Sequence, residues 1–205
     1  MVNTASGYAD WINALGLERV IPAFPGAGGK IENGIVYYSI TSNFVQPTTL
    51  GEIDGKATNR INELKEILSN SGFSTSISKK MDSWQKSHVA MVCPLAFGIY
   101  FDGGNNYTFS KNKKAITQTS KALRETFSFI KNSGIGVEPS KLNIFRFIPL
   151  PILNWLLSLI FNTKWAETLI SNHALAARIE MEMLCDDFIL LAEKKGYQLK
   201  ELKKL

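Results

Sequence analysis

The sequence predicts an α+β protein in which a short strand region, residues 1–57, precedes a mainly helical region, residues 58–205. Before residue 57, β-branched and aromatic residues gather in short runs, which is typical of strands. From Thr58 onward, apolar residues recur three and four positions apart, which is typical of helices. The chain is 45% hydrophobic, which is enough to bury a sizeable core.

Short strands are predicted at Arg19–Phe24, Gly34–Ile40 and Thr48–Ile53. A glycine-rich segment, Gly26–Gly29, separates the first two. A dinucleotide-binding fingerprint needs a glycine at the sixth position and a helix after it, whereas this sequence has Ile31 and then another strand. We therefore predict a plain turn at the glycine-rich segment.

Helices are predicted mainly in the second region, where one strand, Phe73–Ser78, interrupts them. Pro94 lies within the longest apolar helix and should kink it, because proline removes a backbone donor. Residues 137–148 are predicted to form an irregular connection. The predicted helices cover Ala9–Leu15, Thr58–Ser71, Lys80–Phe101, Ser110–Asn132, Leu150–Phe161 and a last one from the capping residue Thr163 to Lys195.

Charge and cysteine content argue against several classes of function. The chain has 23 basic and 18 acidic residues, a net charge of +5, but its lysine-rich stretches lack the interleaved aromatic residues of nucleic-acid-binding surfaces. Cys93 and Cys185 form no paired motif, and only two histidines are present, so neither a metal site nor a disulfide framework is expected. The N-terminus does not resemble a secretory signal. These features predict a cytoplasmic protein without a nucleic-acid partner.

One charge-free segment, Phe147–Phe161, is apolar on nearly all sides. It is shorter than the roughly 20 residues of a membrane span and is interrupted by Pro149, Pro151 and Asn154. We expect it to be buried between helices or between subunits. The chain is therefore predicted to form a homodimer and to have no membrane partner. The alternative for this segment is that of a membrane-surface protein.

Two sets of side chains are candidates for chemistry. Lys86 shares a helix face with apolar residues, so its ammonium is a candidate proton donor, although a lysine at this place can also extend its head to water. On the last predicted helix, Thr168, Asn172 and Glu182 fall on one side, and Glu180 lies about a third of a turn away. Thr168 and Asn172 could bind a small anion, or this side could be an ordinary solvated face.

Several fragments of the chain together resemble the ketopantoate reductase family of NADP-dependent 2-oxoacid reductases. The resemblance is strongest between residues 16 and 100. The fragments are Gly16–Ile21, Leu50–Gly55 with Arg60, Ser71–Phe73 and Trp84–Lys86.

The resemblance implies the end of a Rossmann-like nucleotide-binding domain followed by a helical domain like the C-terminal domain of 6-phosphogluconate dehydrogenase. It implies hydride transfer from NADPH to a 2-oxoacid or another carbonyl compound. The family's N-terminal glycine-rich unit has no counterpart here, so we expect the chain alone to be inactive. The alternative is a non-catalytic helical dimerisation or ligand-binding module that retains the fold.

The resemblance also implies roles for particular residues. Lys86 takes the place of the family's general acid, which protonates the carbonyl oxygen. Ala90 stands where the family has the first of two substrate-binding asparagines. Thr168 matches a serine that contacts the substrate carboxylate. The family's catalytic glutamate corresponds to Glu180 by residue count or to Glu182 by helix geometry, and both are retained as candidates.

Overall fold

The computed structural model describes residues 3–42 and 45–205. It is a mixed α+β structure with small sheets in the N-terminal part and a helical C-terminal part, so the predicted fold class is confirmed at this level. The chain divides into two compact units, Met1–Gln85 and Lys86–Leu205. The division into functional regions at residue 57 stays a prediction.

The first unit contains a three-stranded sheet and a separate hairpin. In chain order its elements are α1 (Ala9–Leu15), a 3₁₀ turn (Leu17–Arg19), β1 (Ala23–Phe24), β2 (Ala27–Glu32), β3 (Ile35–Ile40), β4 (Thr48–Leu50), α2 (Asn59–Asn70) and β5 (Thr75–Ile77). The sheet order is β1-β4-β5, with β1 antiparallel to β4 and β4 parallel to β5. Since α2 connects the two parallel strands, β4, α2 and β5 form a βαβ unit. Ile61 of α2 packs on Ala23 and Leu50 in its core.

The glycine-rich segment lies in strand β2 from Ala27 onward, so the predicted turn is wrong for these residues, and only Gly26 is in a bend. β2 pairs with β3 in an antiparallel hairpin, in which Gly29 lies opposite Tyr38. The reversal occurs at Asn33 and Gly34, whose φ angles are 51° and 76°, as the tightest hairpin turns require. A Cβ at Gly29 would lie 2.2 Å from the carbonyl oxygen of Tyr37. Glycine is therefore needed here for close approach between strands, not for a turn.

A second close approach lies between the loop after β4 and the residues after β5. A Cβ at Gly51 would lie 2.0 Å from the carbonyl oxygen of Ser78. A Cβ at Gly55, where φ is 75°, would lie 2.3 Å from that of Lys79. These two glycines let the loop after β4 pack directly against residues 78–79.

The longest helix, α3 (Met81–Phe101), contains the boundary between the units and carries Pro94 in its interior. Asn112 caps α5 through its side chain, so the helix predicted from Ser110 begins at Lys113 instead. The connection predicted as irregular contains a 3₁₀ turn, Ser140–Asn143, and a short helix. The remaining helices of the second unit are α4 (Asn106–Lys111), α5 (Lys113–Asn132), α6 (Ile144–Phe147), α7 (Leu150–Phe161), α8 (Lys164–Ala166), α9 (Asn172–Ala176) and α10 (Arg178–Lys194).

Phenylalanine pairs connect α5 and α7 to their neighbours in the second unit, and α5 takes part in two of them. Aromatic rings at these spacings add to the free energy of burial. The pairs are Phe109 of α4 with Phe161 of α7 at 5.0 Å, Phe127 of α5 with Phe145 of α6 at 5.1 Å, and Phe129 of α5 with Phe188 of α10 at 5.5 Å between ring centroids.

Only one face of α7 is covered. Leu153, Leu157 and Phe161 are buried, whereas Trp155 is 60% exposed and Leu159 is 51% exposed. Burial between helices is thus confirmed for the inner face alone. Among the described residues, no single helix has the length and apolar character of a membrane span; the bent pair Ser140–Phe147 and Leu150–Phe161, at 118°, meets those criteria only when its two helices are taken together.

Candidate functional site

Lys86 lies in a buried stretch near the start of α3. The residue is 9% exposed, and Ser87 and His88 beside it are also buried. One turn further, Val89, Ala90 and Cys93 are fully buried, so the apolar face expected from residue spacing is present. Lys86 therefore lies at the start of this buried face.

Ala90 and Ser87 each accept a hydrogen bond that connects α3 to a neighbouring segment. The carbonyl oxygen of Ala90 accepts a hydrogen bond from the Thr126 hydroxyl of α5 at 2.7 Å. The Ser87 hydroxyl oxygen accepts one from the backbone N–H of Glu138 at 3.0 Å. The Ala90 methyl group offers a substrate no hydrogen bond, unlike the asparagine that the resemblance implies at this place.

The uninterrupted helix predicted from Thr163 to Lys195 is wrong. Thr163 does cap a helix, since its side chain accepts from the backbone N–H of Ala166. The helix then becomes a π-helix over Glu167–Ser171 and breaks at Ala177, whose φ and ψ are −109° and 32°. The polar face that we expected to run along one continuous helix is therefore divided.

Two side-chain hydrogen bonds account for these irregularities. The Thr168 hydroxyl donates to the carbonyl oxygen of Lys164 at 3.0 Å, a contact that tends to bend helices. The Tyr100 hydroxyl donates to the carbonyl oxygen of Ala174 at 2.5 Å, which gives that carbonyl a partner outside the helix just before the break. Thr168 itself is exposed, as is Asn172 at the start of α9.

Glu182 belongs to an ion-pair cluster on α10. Its carboxylate accepts from Nε of Arg178 at 2.9 Å, and the Arg178 guanidinium lies 4.8 Å from the centre of the Tyr100 ring. Burial raises the pKa of Tyr100 to about 12, so its phenol keeps its proton and its role as a donor. Glu180 is exposed in the first turn of α10.

Lys86 and the Glu182 cluster lie beside different ends of α3. Tyr100 comes fourteen residues after Lys86, which corresponds to about 21 Å along a helix axis. The structure therefore brings Glu182 to Tyr100 and Arg178 near the end of α3, whereas Lys86 lies near its beginning. Sequence spacing alone could not show this separation, because it depends on how α10 packs.

His88 is a buried titratable group to which the sequence assigns no catalytic or binding role. Burial lowers the pKa of His88 to about 3, and the nearby His173 of α9 adds to the effect. The imidazole is therefore neutral at physiological pH. No sequence motif links these two histidines, which are brought near each other only by the packing of α9.

The two cysteines are free and buried. The facing Cys185 thiol, together with burial, holds the pKa of Cys93 well above its usual range. Cys93 is thus a protonated, weakly nucleophilic thiol.

In the first unit, Arg60 connects two of the fragments that carry the resemblance. Its Nε and Nη2 donate to the Glu52 carboxylate at 2.7 and 2.5 Å, and its Nη1 donates to the carbonyl oxygen of Glu18. Glu52 also accepts from the Thr58 hydroxyl at the start of α2. The hydrogen bond from Arg60 lowers the pKa of Glu52, so this nearly buried carboxylate stays charged and paired.

The predicted absence of a dinucleotide fingerprint concerns the glycine-rich segment, most of which lies in β2. The glycine-rich strand β2 leads into a turn and β3, so no helix N-terminus follows it to face a pyrophosphate. Within the same residues, no group of three or more His, Cys, Asp or Glu side chains could hold a metal ion.

Comparison with known proteins identifies no family for this chain. No protein-family model matches the chain, and no curated protein matches it significantly.

Proposed function

We propose that this chain is the C-terminal part of an NADP-dependent reductase of 2-oxoacids or related carbonyl compounds. Lys86 is the proton donor in this proposal, and the nucleotide is bound by residues outside the chain. The fold is then the end of a Rossmann-like domain joined to a helical substrate domain like that of 6-phosphogluconate dehydrogenase.

The packing of the first unit carries the proposal. Residues 16–21 and 50–55 are far apart in the sequence, yet Arg60 bonds to both. Gly51 and Gly55 pack against residues 78–79 just before α3, and the Trp84 ring lies 5.5 Å from Phe24. Arg60 thus joins two fragments of the resemblance within the first unit, and the parallel βαβ unit of β4, α2 and β5 is the repeating element of Rossmann-like sheets.

The position of Lys86 suits a general acid. Lys86 is held on a long helix, and the residue as a whole is 9% exposed. A cation in such a place stabilises negative charge that develops on a carbonyl oxygen and can donate its proton to that oxygen. NADPH, when bound, would supply the hydride.

A second candidate function is a non-catalytic module that retains the fold. The Thr168 hydroxyl donates within its own helix, and Glu182 pairs with Arg178. Ala90 presents a methyl group where the family has an amide. These three positions favour the module, because two of the side chains are engaged within the protein and the third offers no hydrogen-bonding group.

A substrate screen separates the two candidates. The protein of full natural length should oxidise NADPH when given a 2-oxoacid or a related carbonyl compound, as followed by the absorbance of NADPH. The isolated 205-residue chain should catalyse no reduction, and calorimetry should show weak NADPH binding or none. A folded full-length protein that reduces none of these compounds would favour the module.

A further inference from the structure

We propose that the outer face of α6 and α7 binds to an anionic membrane surface without spanning the membrane. The outer face is defined by the exposed side chains Ile144, Phe147, Ile152, Trp155, Leu159 and Ile160. The inference is independent of the proposed reductase activity. It departs from the expectation of no membrane partner and develops the alternative of a membrane-surface protein.

The outer face of α7 is a continuous apolar stripe. Ile152, Trp155 and Leu159 follow one another at helical spacing, on the side opposite the buried Leu153 and Leu157. On α6, across the bend from α7, Phe147 is 69% exposed and Ile144 is 59% exposed. A helix that is apolar on both faces and covered on one needs a partner for the other.

The charges around this face indicate what kind of partner it is. From Pro139 to Ala166 the sequence contains no acidic residue, whereas Lys141, Arg146 and Lys164 are basic. Lys164 pairs with Glu167. The Arg146 guanidinium lies 4.9 Å from the centre of the exposed Phe147 ring. Apart from the Lys164–Glu167 pair, the charges that this segment brings to the apolar surface are cations, which makes the surface complementary to an anionic one.

Two arginines near the bend between α6 and α7 have no carboxylate partner. Arg124 of α5 donates to the carbonyl oxygen of Ile148, between α6 and α7, and Arg146 donates to Oδ1 of Asn143 at 3.4 Å. Among the described residues, neither arginine forms an ion pair with a carboxylate. Guanidinium groups without carboxylate partners suit phosphate groups at a lipid surface.

A second copy of the chain fits this face less well. A two-fold interface would place the outer face against itself. Cationic borders would then lie opposite cationic borders, with no acidic residue from the same segment between them, and like charges disfavour association. At a bilayer, Trp155 would lie at the headgroup level, where tryptophan is enriched, and the apolar stripe would enter the acyl boundary.

Sedimentation with lipid vesicles tests the proposal on the full 205-residue chain. The chain should sediment with vesicles of phosphatidylcholine and phosphatidylglycerol in equal parts and remain in the supernatant with phosphatidylcholine alone. Trp155→Glu should abolish binding, and Leu159→Asn should weaken it as a milder change. Lys141→Gln with Arg146→Gln should lower the partition coefficient about 30-fold, since each cation contributes about 1 kcal/mol at such a surface.

Ile67→Glu and Lys65→Gln are the matched controls, because both residues are exposed on α2 and should leave binding unchanged. Circular dichroism melting checks that each variant remains folded. The proposal is overturned if the chain sediments with neither type of vesicle or if folded Trp155→Glu binds as the wild type does. A concentration-dependent dimer that Trp155→Glu converts to monomer, without vesicle binding, would instead assign the face to a second copy.

Discussion

Individual residues of the first unit show how the sequence fragments become a structure. The Glu52 side chain is 5% exposed, whereas that of its partner Arg60 is 37% exposed. Their two hydrogen bonds keep a charge inside the unit and connect the loop after β4 with α2. The pair is therefore structural, although it lies within a fragment that also carries the functional resemblance.

Arg60→Ala should destabilise the protein by about 2 kcal/mol, because it leaves the Glu52 carboxylate buried without its main partner. The partial exposure of Arg60 keeps the cost below that of a fully buried pair. Urea denaturation measures the free energy of unfolding. Lys56→Ala is the control, since the Lys56–Asp54 pair is exposed on both sides and should contribute almost nothing. Equal losses in the two variants would contradict the structural role of Arg60.

His88 should make stability depend on pH in a range where carboxylates do not titrate. Its pKa is about 3 in the folded state against 6.5 as its ordinary value, so below pH 6.5 the unfolded state binds a proton that the folded state does not. The free energy of unfolding should therefore fall with pH by about 1.4 kcal/mol per unit.

Denaturation between about pH 6.5 and 5 should show a loss of about 2 kcal/mol. His88→Gln should remove most of this dependence, because the substituted side chain does not titrate. A His88→Gln variant with the wild-type slope would show that another group is responsible.

At the scale of elements, local patterns predicted most helices, but contacts between distant residues changed their limits. The amphipathic spacing from Thr58 onward predicted α2, α3 and α7 close to their observed bounds. The break at Ala177 depends on Tyr100, which lies far away in the sequence and bonds to Ala174. No local pattern could have predicted it. The hairpin of β2 and β3 was predictable, since Asn33-Gly34 is a strong hairpin signal, but the preceding glycines suggested a turn too early.

Gly51→Ala should be more disruptive than a small surface change, because the new Cβ would lie 2.0 Å from the Ser78 carbonyl oxygen. Backbone atoms would have to move, and overpacking of this kind costs about 1 to 3 kcal/mol or more. Gly72→Ala is the control, since nothing lies within 4 Å of its Cβ position and only its φ of +89° causes strain. Thermal melting should rank Gly51→Ala well below Gly72→Ala, and the reverse order would contradict this packing.

For the whole molecule, composition and periodicity predicted an α+β chain with a helical C-terminal part, as the structure shows. The candidate site was predicted less completely. Lys86 lies on the buried face that residue spacing indicated, because that face depends only on α3. The positions of Thr168, Glu180 and Glu182 relative to Lys86 depend on the π-helix and on the break before α10, and next to that break Ala174 bonds to the distant Tyr100.

The turnover of Lys86→Ala in the protein of full natural length tests the central claim most directly. We predict that kcat for NADPH-dependent reduction falls by about 10² to 10⁴, the usual contribution of a general acid, with little change in the KM for NADPH. Added methylamine should restore part of the activity, and Lys80→Ala, an exposed neighbour, should behave as the wild type. A folded Lys86→Ala enzyme with wild-type kcat would contradict the claim that Lys86 donates the proton.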